Sequence, residues 1–313
     1  SYIHTAFECA AATASGAEAA YKSLKKQGKL PENQEVKFIT FGGDGGTYDI
    51  GLQSLSGAME RGHDMVYVCY DNGAYMNTGI QRSSATPRFA DTTTSPAGSV
   101  IPGKMQSRKD LTEIMVSHHI PYVGQTIAVN NFKDLYEKSE KAIYTKGPAF
   151  LNVLSPCPRG WGYPTDINKL AVETCYWPLY EVVDGKYKIT YKPAKKLPIE
   201  EFLKPQKRFK HMFKPGNEWM LEEFQNEVDK RWQALLDLEK LSIWYELYPK
   251  RCSFTIILGN YISVIAYFIY LLYTPNNKIV MNMINFSDIF LIYIDLWTKS
   301  VYNINIEKHF YNK

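Results

Sequence analysis

Hydrophobic and polar positions alternate between helical and strand periods over the first half of the chain. Runs with a helical period cover residues 10–28, 49–62, 109–119 and 130–147. Short apolar runs typical of buried strands lie between them, at residues 35–41, 65–70, 121–129 and 148–154. The repetition of strand and helix predicts an α/β fold with a mostly parallel sheet and helices on both faces.

The pattern changes twice further along the chain. Residues 155–242 are irregular and rich in proline until they end in an amphipathic helix, so we interpret them as an arm that follows an α/β domain of residues 1–154. Basic residues outnumber acids between Lys188 and Lys214. This basic segment is either a solvated arm or a docking surface for an acidic electron carrier.

Residues 243–313 form an anomalous tail dominated by Ile, Asn, Tyr, Phe and Lys. Its stretch from Ser253 to Tyr273 is apolar and long enough to span a bilayer, since about 20 residues suffice. These residue types are also the ones that A- and T-rich codons favour. We therefore favour non-native sequence over a membrane anchor and regard membrane attachment as unlikely, although both readings stay open.

Composition excludes other classes of protein. The 313 residues are 45% hydrophobic with a net charge of +4, which is a globular composition too weakly basic to predict nucleic-acid binding. The five cysteines are widely spaced without a CxxC pair, so we expect a reducing, cytoplasmic location. The chain starts without a signal peptide or a methionine, which indicates a processed chain or one that begins inside a domain.

Candidate chemistry lies in two loops that each follow a predicted strand. The first is FGGDGGTYDIG, residues 41–51, and the second is DNGAYMNTG, residues 71–79. Because neighbouring parallel strands end at one edge of a sheet, Asp44 and Asn72 should face each other there. The carboxylate of Asp44, the amide of Asn72 and the backbone carbonyl of Ala74 would supply hard oxygen ligands for Mg²⁺.

The same glycine-rich loop has features of a phosphate site. Gly43 and Gly45 would let the backbone approach a diphosphate, and a helix that begins near Asp49 would point amide donors at it. Neither GxxxxGK[ST] nor GxGxxG is present, so the usual nucleotide signatures fail.

GDGGTYDIG followed by DNGAYMNTGIQRSSATP resembles the thiamine diphosphate domain in the beta subunit of pyruvate:ferredoxin oxidoreductase. The resemblance continues through SPCPRGWGYP to about Leu241, and its most discriminating part is the NTGxQxSxxTP run. It implies a subunit for oxidative decarboxylation of pyruvate to acetyl-CoA and CO2, with electrons passed to ferredoxin. Domain 1–154 would then be the thiamine diphosphate and magnesium domain, with its N-terminal part missing.

The resemblance implies a role for each site residue. Asp44, Asn72 and the carbonyl of Ala74 would bind Mg²⁺, and Asn77 and Thr78 would lie against the diphosphate and thiazolium side of the cofactor. The implied residues that contact thiamine diphosphate are Gly43, Asp44, Gly45, Gly46, Asn72, Asn77 and Thr78.

The resemblance also implies groups that this sequence does not supply. Cys157 resembles one ligand of a 4Fe-4S cluster whose other ligands would lie upstream, so we expect an N-terminally truncated chain. The glutamate that activates thiamine would belong to the alpha subunit, and no catalytic residue is expected here. The expected partners are alpha, gamma and delta subunits, ferredoxin, pyruvate and coenzyme A. Two alternatives stay open: a thiamine-dependent lyase or carboligase without electron transfer, and a membrane-attached binding protein.

Overall fold

The structure, a computed structural model, describes residues 2–247. All eight helices and strands that the sequence predicts before residue 155 are present. The helices are α1 (Ala10–Lys26), α2 (Leu52–Glu60), α3 (Leu111–Val116) and α4 (Phe132–Tyr144). The strands are β1 (Phe38–Gly43), β2 (Met65–Asp71), β3 (Tyr122–Ile127) and β4 (Ala149–Leu154).

These strands form the parallel part of one sheet. The six-stranded sheet has the order β1-β2-β4-β3-β5-β6, in which β5 is Leu179–Val183 and β6 is Lys186–Tyr191. The first four strands in this order pair in parallel, so their carboxyl ends share one edge. This arrangement confirms the predicted α/β class with a mostly parallel sheet.

The segment after residue 155 adds two strands that the sequence analysis did not predict. β5 pairs antiparallel with β3, and β6 pairs antiparallel with β5. The hairpin turn at Asp184 and Gly185 has positive φ at both residues. An Asp-Gly pair between strands is a strong hairpin signal, and it was overlooked among the basic and proline residues.

Four α-helices complete the described part of the segment, together with 3-10 helices at Thr165–Ile167 and Lys207–Phe213. The four α-helices are α5 (Pro158–Trp161), α6 (Asn168–Glu173), α7 (Ile199–Leu203) and α8 (Glu218–Leu247). The long helix α8 is the predicted amphipathic helix, and its buried residues Met220, Phe224 and Val228 pack in a cluster with Trp161 and Phe202. The same cluster includes Leu154 at the carboxyl end of β4. It therefore packs the arm against this edge of the sheet.

Helices pack on both faces of the sheet. Residues of α1 and α2 join Tyr67 and Phe150 in one core, while Ala142 of α4 packs with Tyr122 and Leu151 in another. Within residues 2–247, no helix is long and apolar enough to cross a membrane. The apolar stretch Ser253–Tyr273 lies outside the described residues.

Candidate functional site at the carboxyl edge of the sheet

The loops after β1 and β2 meet at the carboxyl edge of the sheet. Gly43 and Tyr70 are paired at the ends of these two parallel strands. Directly beyond them, the backbone N–H of Asn72 donates to Oδ1 of Asp44 over 3.3 Å. The sequence prediction that Asp44 and Asn72 face each other is therefore confirmed.

The glycine-rich loop turns into a helix earlier than the sequence predicts. A π-helical segment covers Gly45–Ile50 and leads into α2, so helical backbone begins before Asp49. Glycine is required in this turn because a neighbouring side chain occupies the space that a Cβ would fill. A Cβ placed on Gly45 would lie 2.2 Å from the ring of Tyr75, whose hydroxyl donates to the Gly45 carbonyl over 2.8 Å.

This contact gives Gly45 a packing role that the sequence analysis did not predict. The ring of Tyr75 occupies the Cβ position of Gly45, and the expected approach of a diphosphate to the backbone of this loop stays a prediction. Tyr75 also donates to Asp49 over 3.3 Å, so it ties the second loop to the first. The absent side chain at position 45 is needed for the packing of the two loops.

Asp44 is a buried carboxylate without a cationic partner in the described part of the chain. Its exposure is 1%. The hydroxyl of Ser83 donates to Oδ2 over 2.5 Å, and the weaker bond from Asn72 reaches Oδ1. Burial, followed by the charge of Asp71, raises the pKa of Asp44 to about 8. The hydrogen bonds from Ser83 and Asn72 and the charge of Arg108 favour the ionised form but do not outweigh burial, so a bound cation would stabilise the carboxylate further.

The neighbouring carboxylate, Asp71, already has its counter-ion. Nη2 of Arg108 lies 2.5 Å from Oδ2 of Asp71, and both side chains are buried. Tyr48 donates to the same oxygen over 2.7 Å, and the N–H of Gly73 donates to Oδ1 over 3.0 Å. Burial lowers the pKa of Arg108, but the charge of Asp71 outweighs this and raises it well above its usual value.

The donor set fits a magnesium ion. Asp44 offers a carboxylate, Asn72 an amide oxygen and Ala74 a backbone carbonyl that accepts no hydrogen bond among residues 2–247. These are the hard oxygen ligands that Mg²⁺ takes together with water and phosphate. Because Arg108 neutralises Asp71, Asp44 is left as the carboxylate that requires a cation. No cluster of three His, Cys, Asp or Glu side chains suited to a metal occurs in the described residues, so a protein-only cage is not the alternative there.

Asn77 and Thr78 form the exposed tip of a turn in the loop of Asn72. Hydrogen bonds between Tyr75 and Gln81 close the turn, and Thr78 donates to the side chain of Gln81 over 2.6 Å. Their assignment to the cofactor stays a prediction.

Cys157 lies between the end of β4 and the start of α5. It is half-buried at the start of α5, and it belongs with Met76 to the side chains packed around the cluster of Trp161. Cys69 is fully buried in β2, where burial raises the pKa of its thiol well above the usual value. Cys69 is therefore a core residue.

Several residues that shape the site were missed by the sequence analysis. Ser83 binds Asp44, and Thr86 binds both the N–H of Ser83 and the carbonyl of Gly73. Both belong to the NTGxQxSxxTP run, which was available as a signal. Asp71 and Arg108 are 37 residues apart, and no local pattern joins them.

A mostly parallel sheet with a glycine-rich turn after one strand and an Asp-Asn pair across its carboxyl edge defines an α/β domain of the class that binds ligands at the strand ends. The family described as "Thiamine pyrophosphate enzyme, C-terminal TPP binding domain" matches residues 1–153. The chain is 53% identical to "Pyruvate synthase subunit PorB" of Thermotoga maritima over 77% of its length and 76% of that protein. It belongs to the family of pyruvate synthase beta subunits, which are subunits of 2-oxoacid:ferredoxin oxidoreductases.

Two further relatives show the range of the family. The chain is 54% identical to "Pyruvate synthase subunit PorB" of Methanocaldococcus jannaschii, covering 75% of this chain and 78% of that protein. It is 47% identical to "Ketoisovalerate oxidoreductase subunit VorB" of Pyrococcus furiosus, covering 71% of this chain and 74% of that protein.

Proposed function

We propose that this chain carries thiamine diphosphate and Mg²⁺ in a pyruvate:ferredoxin oxidoreductase. The reaction converts pyruvate and coenzyme A into acetyl-CoA and CO2, and two electrons pass to ferredoxin. The observation that carries the proposal is the buried, unpaired carboxylate of Asp44 beside Asn72 at the edge of the sheet. Similarity to the pyruvate synthase subunits supports the choice of reaction.

The residues of the two loops have separate roles in this proposal. Asp44, the side chain of Asn72 and the carbonyl of Ala74 hold Mg²⁺. The backbone of Gly43–Gly46 lies beside the diphosphate, and Asn77 and Thr78 contact the cofactor from the tip of the second loop. Ser83 orients Asp44 through the 2.5 Å hydrogen bond to Oδ2. When bound, thiamine diphosphate would supply the nucleophile that attacks the keto carbon of the substrate, which allows the bond from that carbon to the carboxylate to break.

The activating glutamate is proposed to come from the alpha subunit. Glu18, Glu181 and Glu239 are the buried glutamates of the described region. Glu18 binds His63, Glu181 accepts from Tyr122, and Glu239 accepts from the backbone of Ile189. All three are thus engaged with groups outside the two loops. The active site would be completed at an interface with alpha, and the gamma and delta subunits would complete the enzyme.

Cys157 is proposed as one ligand of a 4Fe-4S cluster that receives the electrons. Its side chain packs against the same cluster as Met76 of the second loop, and this supports a position near the cofactor. The cluster needs further thiolates, since a 4Fe-4S centre is held by four. A cytoplasmic location stays a prediction from cysteine usage.

The test uses the chain co-expressed and purified with its partner subunits. Titration with thiamine diphosphate and Mg²⁺ should show binding, and pyruvate with coenzyme A should reduce ferredoxin. Turnover of pyruvate without reduction of ferredoxin would instead support a lyase or carboligase. Ketoisovalerate should be assayed beside pyruvate, because one relative is named for that substrate. Retention of the chain in membranes after carbonate extraction would favour the membrane-attached alternative.

A further inference from the structure

We propose that Trp161 and Arg208 act as one unit that positions the magnesium-binding loop of residues 72–74, so that the arm of residues 155–242 sets the affinity for the metal. This role rests on the proposed function, because it assigns to the arm an effect on the proposed magnesium site. Both are positioning residues, since they act through the loop.

Trp161 holds the first residue of the loop by its backbone. Its indole N–H donates to the carbonyl of Asn72 over 2.7 Å, and the side chain is 1% exposed. Trp161 ends the short helix α5, which follows β4, the strand next to β2. The hydrogen bond therefore joins the loop after β2 to the first turn of the arm. The bond is partly buried, so losing it leaves the Asn72 carbonyl without its protein partner at this position.

Arg208 holds the next residue of the loop and stacks on Trp161. Its guanidinium carbon lies 4.0 Å from the centroid of the Trp161 ring, within the range of a strong cation–π contact. A Cβ on Gly73 would lie 2.9 Å from Nη1 of Arg208, so the guanidinium packs directly against the backbone of the loop. Gly73 also has a φ of +75°, which only glycine adopts without strain.

Arg208 is a buried cation with few hydrogen-bond partners. The side chain is 5% exposed, and its charge has no carboxylate within ion-pair distance among the described residues. Only Nε has a side-chain acceptor, Oε1 of Gln206 at 2.8 Å, while Nη2 has no partner there. Burial lowers the pKa of Arg208 to about 10. The charges of nearby groups, Tyr176, Asp71 and Asp44, act against this shift, so the buried guanidinium lies near the two loops as well as against the Trp161 ring.

Residues of the arm pack closely around Trp161 and Arg208, so the arm can hold these two side chains in place. A Cβ on Gly162 would lie 2.4 Å from the side chain of Lys207, and the ring of Phe202 packs edge-on to Trp161 at 6.1 Å. The backbone carbonyl of Arg208 also accepts from the N–H of Asp91 over 2.9 Å. Arg208 lies in the segment that the sequence analysis described as a solvated arm or docking surface. For this residue neither description holds, because it is buried.

The experiment measures metal affinity in the complex with partner subunits, after removal of metal by a chelator. Mn²⁺ is titrated in the presence of thiamine diphosphate and followed by its electron paramagnetic resonance signal, which reports bound metal without turnover. Loss of groups that support metal ligands typically weakens affinity by about 10-fold to 100-fold. We expect Arg208→Met and Trp161→Phe each to raise the Kd for Mn²⁺ about 10-fold. Arg208→Lys should have an intermediate effect, because it keeps the charge and loses the planar stack.

Control variants separate positioning from general damage. Trp219→Phe and Arg61→Met remove an exposed tryptophan and an exposed arginine, and they should leave the Kd unchanged. The double variant Trp161→Phe with Arg208→Met should weaken binding less than the product of the single effects, because the two side chains act as one unit. Melting temperatures of the metal-free proteins show whether each variant is folded.

The outcomes are distinguishable. A Kd within twofold of wild type in folded Arg208→Met and Trp161→Phe would overturn the inference while leaving the proposed function intact. Should Arg208→Met fail to fold, Trp161→Phe decides, because it removes a single donor and keeps the aromatic ring. Absence of Mn²⁺ binding in the wild-type complex would overturn the proposed function, and the positioning role with it.

Discussion

The backbone N–H of Asn72 lies 3.3 Å from Oδ1 of Asp44, although 28 residues separate the two positions in the chain. The parallel pairing of β1 with β2 produces this approach, because both strands end at one edge. Among the described residues Asp44 has no ion-pair partner, and the second loop approaches it through the N–H of Asn72.

Replacement of Asp44 by Asn should abolish metal binding. The carboxylate is the charged ligand of the proposed site, so we expect the affinity for Mg²⁺ to fall at least about 100-fold, beyond the range for supporting groups. Calorimetric titration of the complex with Mg²⁺ and thiamine diphosphate measures the change. Asp64→Asn is the matched control, because Asp64 precedes β2 and pairs with Lys37 at the opposite edge. Equal affinity in Asp44→Asn and wild type would contradict the assignment.

The binding of Mg²⁺ should depend on pH through Asp44. Burial and then the charge of Asp71 raise the pKa of this carboxyl from 3.8 to about 8 in the metal-free protein. Mg²⁺ has to displace the proton, so its apparent affinity should rise about tenfold per pH unit below pH 8 and level off above it. Titrations at several pH values measure the slope. A flat profile between pH 6 and pH 8 would show that Asp44 does not titrate with the metal.

The same pKa shift predicts how stability changes without metal. At pH values between the unfolded value of 3.8 and the folded value of about 8, the folded protein holds a proton that the unfolded chain has lost. The contribution of Asp44 to the free energy of unfolding therefore falls as the pH rises through this range. Asp44→Asn should not show this loss of stability with rising pH. Its melting temperature at pH 8 in chelator should therefore be higher than that of wild type. Parallel melting curves at all pH values would contradict the prediction.

Breaking the buried ion pair between Asp71 and Arg108 should destabilise the fold. Arg108→Met leaves a buried carboxylate without its cation, which costs about 3–5 kcal/mol. Urea denaturation measures the free energy of unfolding. Lys133→Ala removes the exposed pair with Glu137 and should cost less than about 1 kcal/mol. The double variant Asp71→Asn with Arg108→Met should recover part of the loss, because neither charge is then buried alone. Additive losses would contradict the pairing.

Gly45→Ala should disturb the contact between the two loops. The added methyl group would overlap the ring of Tyr75, at 2.2 Å from its nearest atom. Overpacking of this kind costs about 1–3 kcal/mol, and we expect weaker cofactor binding as well. Gly16→Ala is the matched control, because nothing lies within 4 Å of its Cβ position in α1 and helix propensity should stabilise it by about 0.5–1 kcal/mol. Combining Gly45→Ala with Tyr75→Ala should relieve the overlap; failure to do so would contradict the packing role.

Local patterns predicted the first half of the fold and the centre of the site. Apolar periods identified β1 and β2, and strand polarity then fixed that Asp44 and Asn72 would meet, because successive parallel strands end at one edge. The antiparallel strands β5 and β6 were missed, since the basic residues around them obscured the Asp-Gly turn.

What the sequence by itself determined is the α/β class and the pair of loops at one edge of the sheet, because both follow from short-range patterns and strand direction. The cofactor followed only from the resemblance of those two loops to a known family. Tertiary structure alone decided which carboxylate lacks a counter-ion. Arg108 reaches Asp71 from 37 residues away and leaves Asp44 unpaired. The contacts of Arg208 and Trp161 with the Asn72 loop were likewise visible only in the tertiary structure. Burial and long-range packing depend on the whole chain and not on any local pattern.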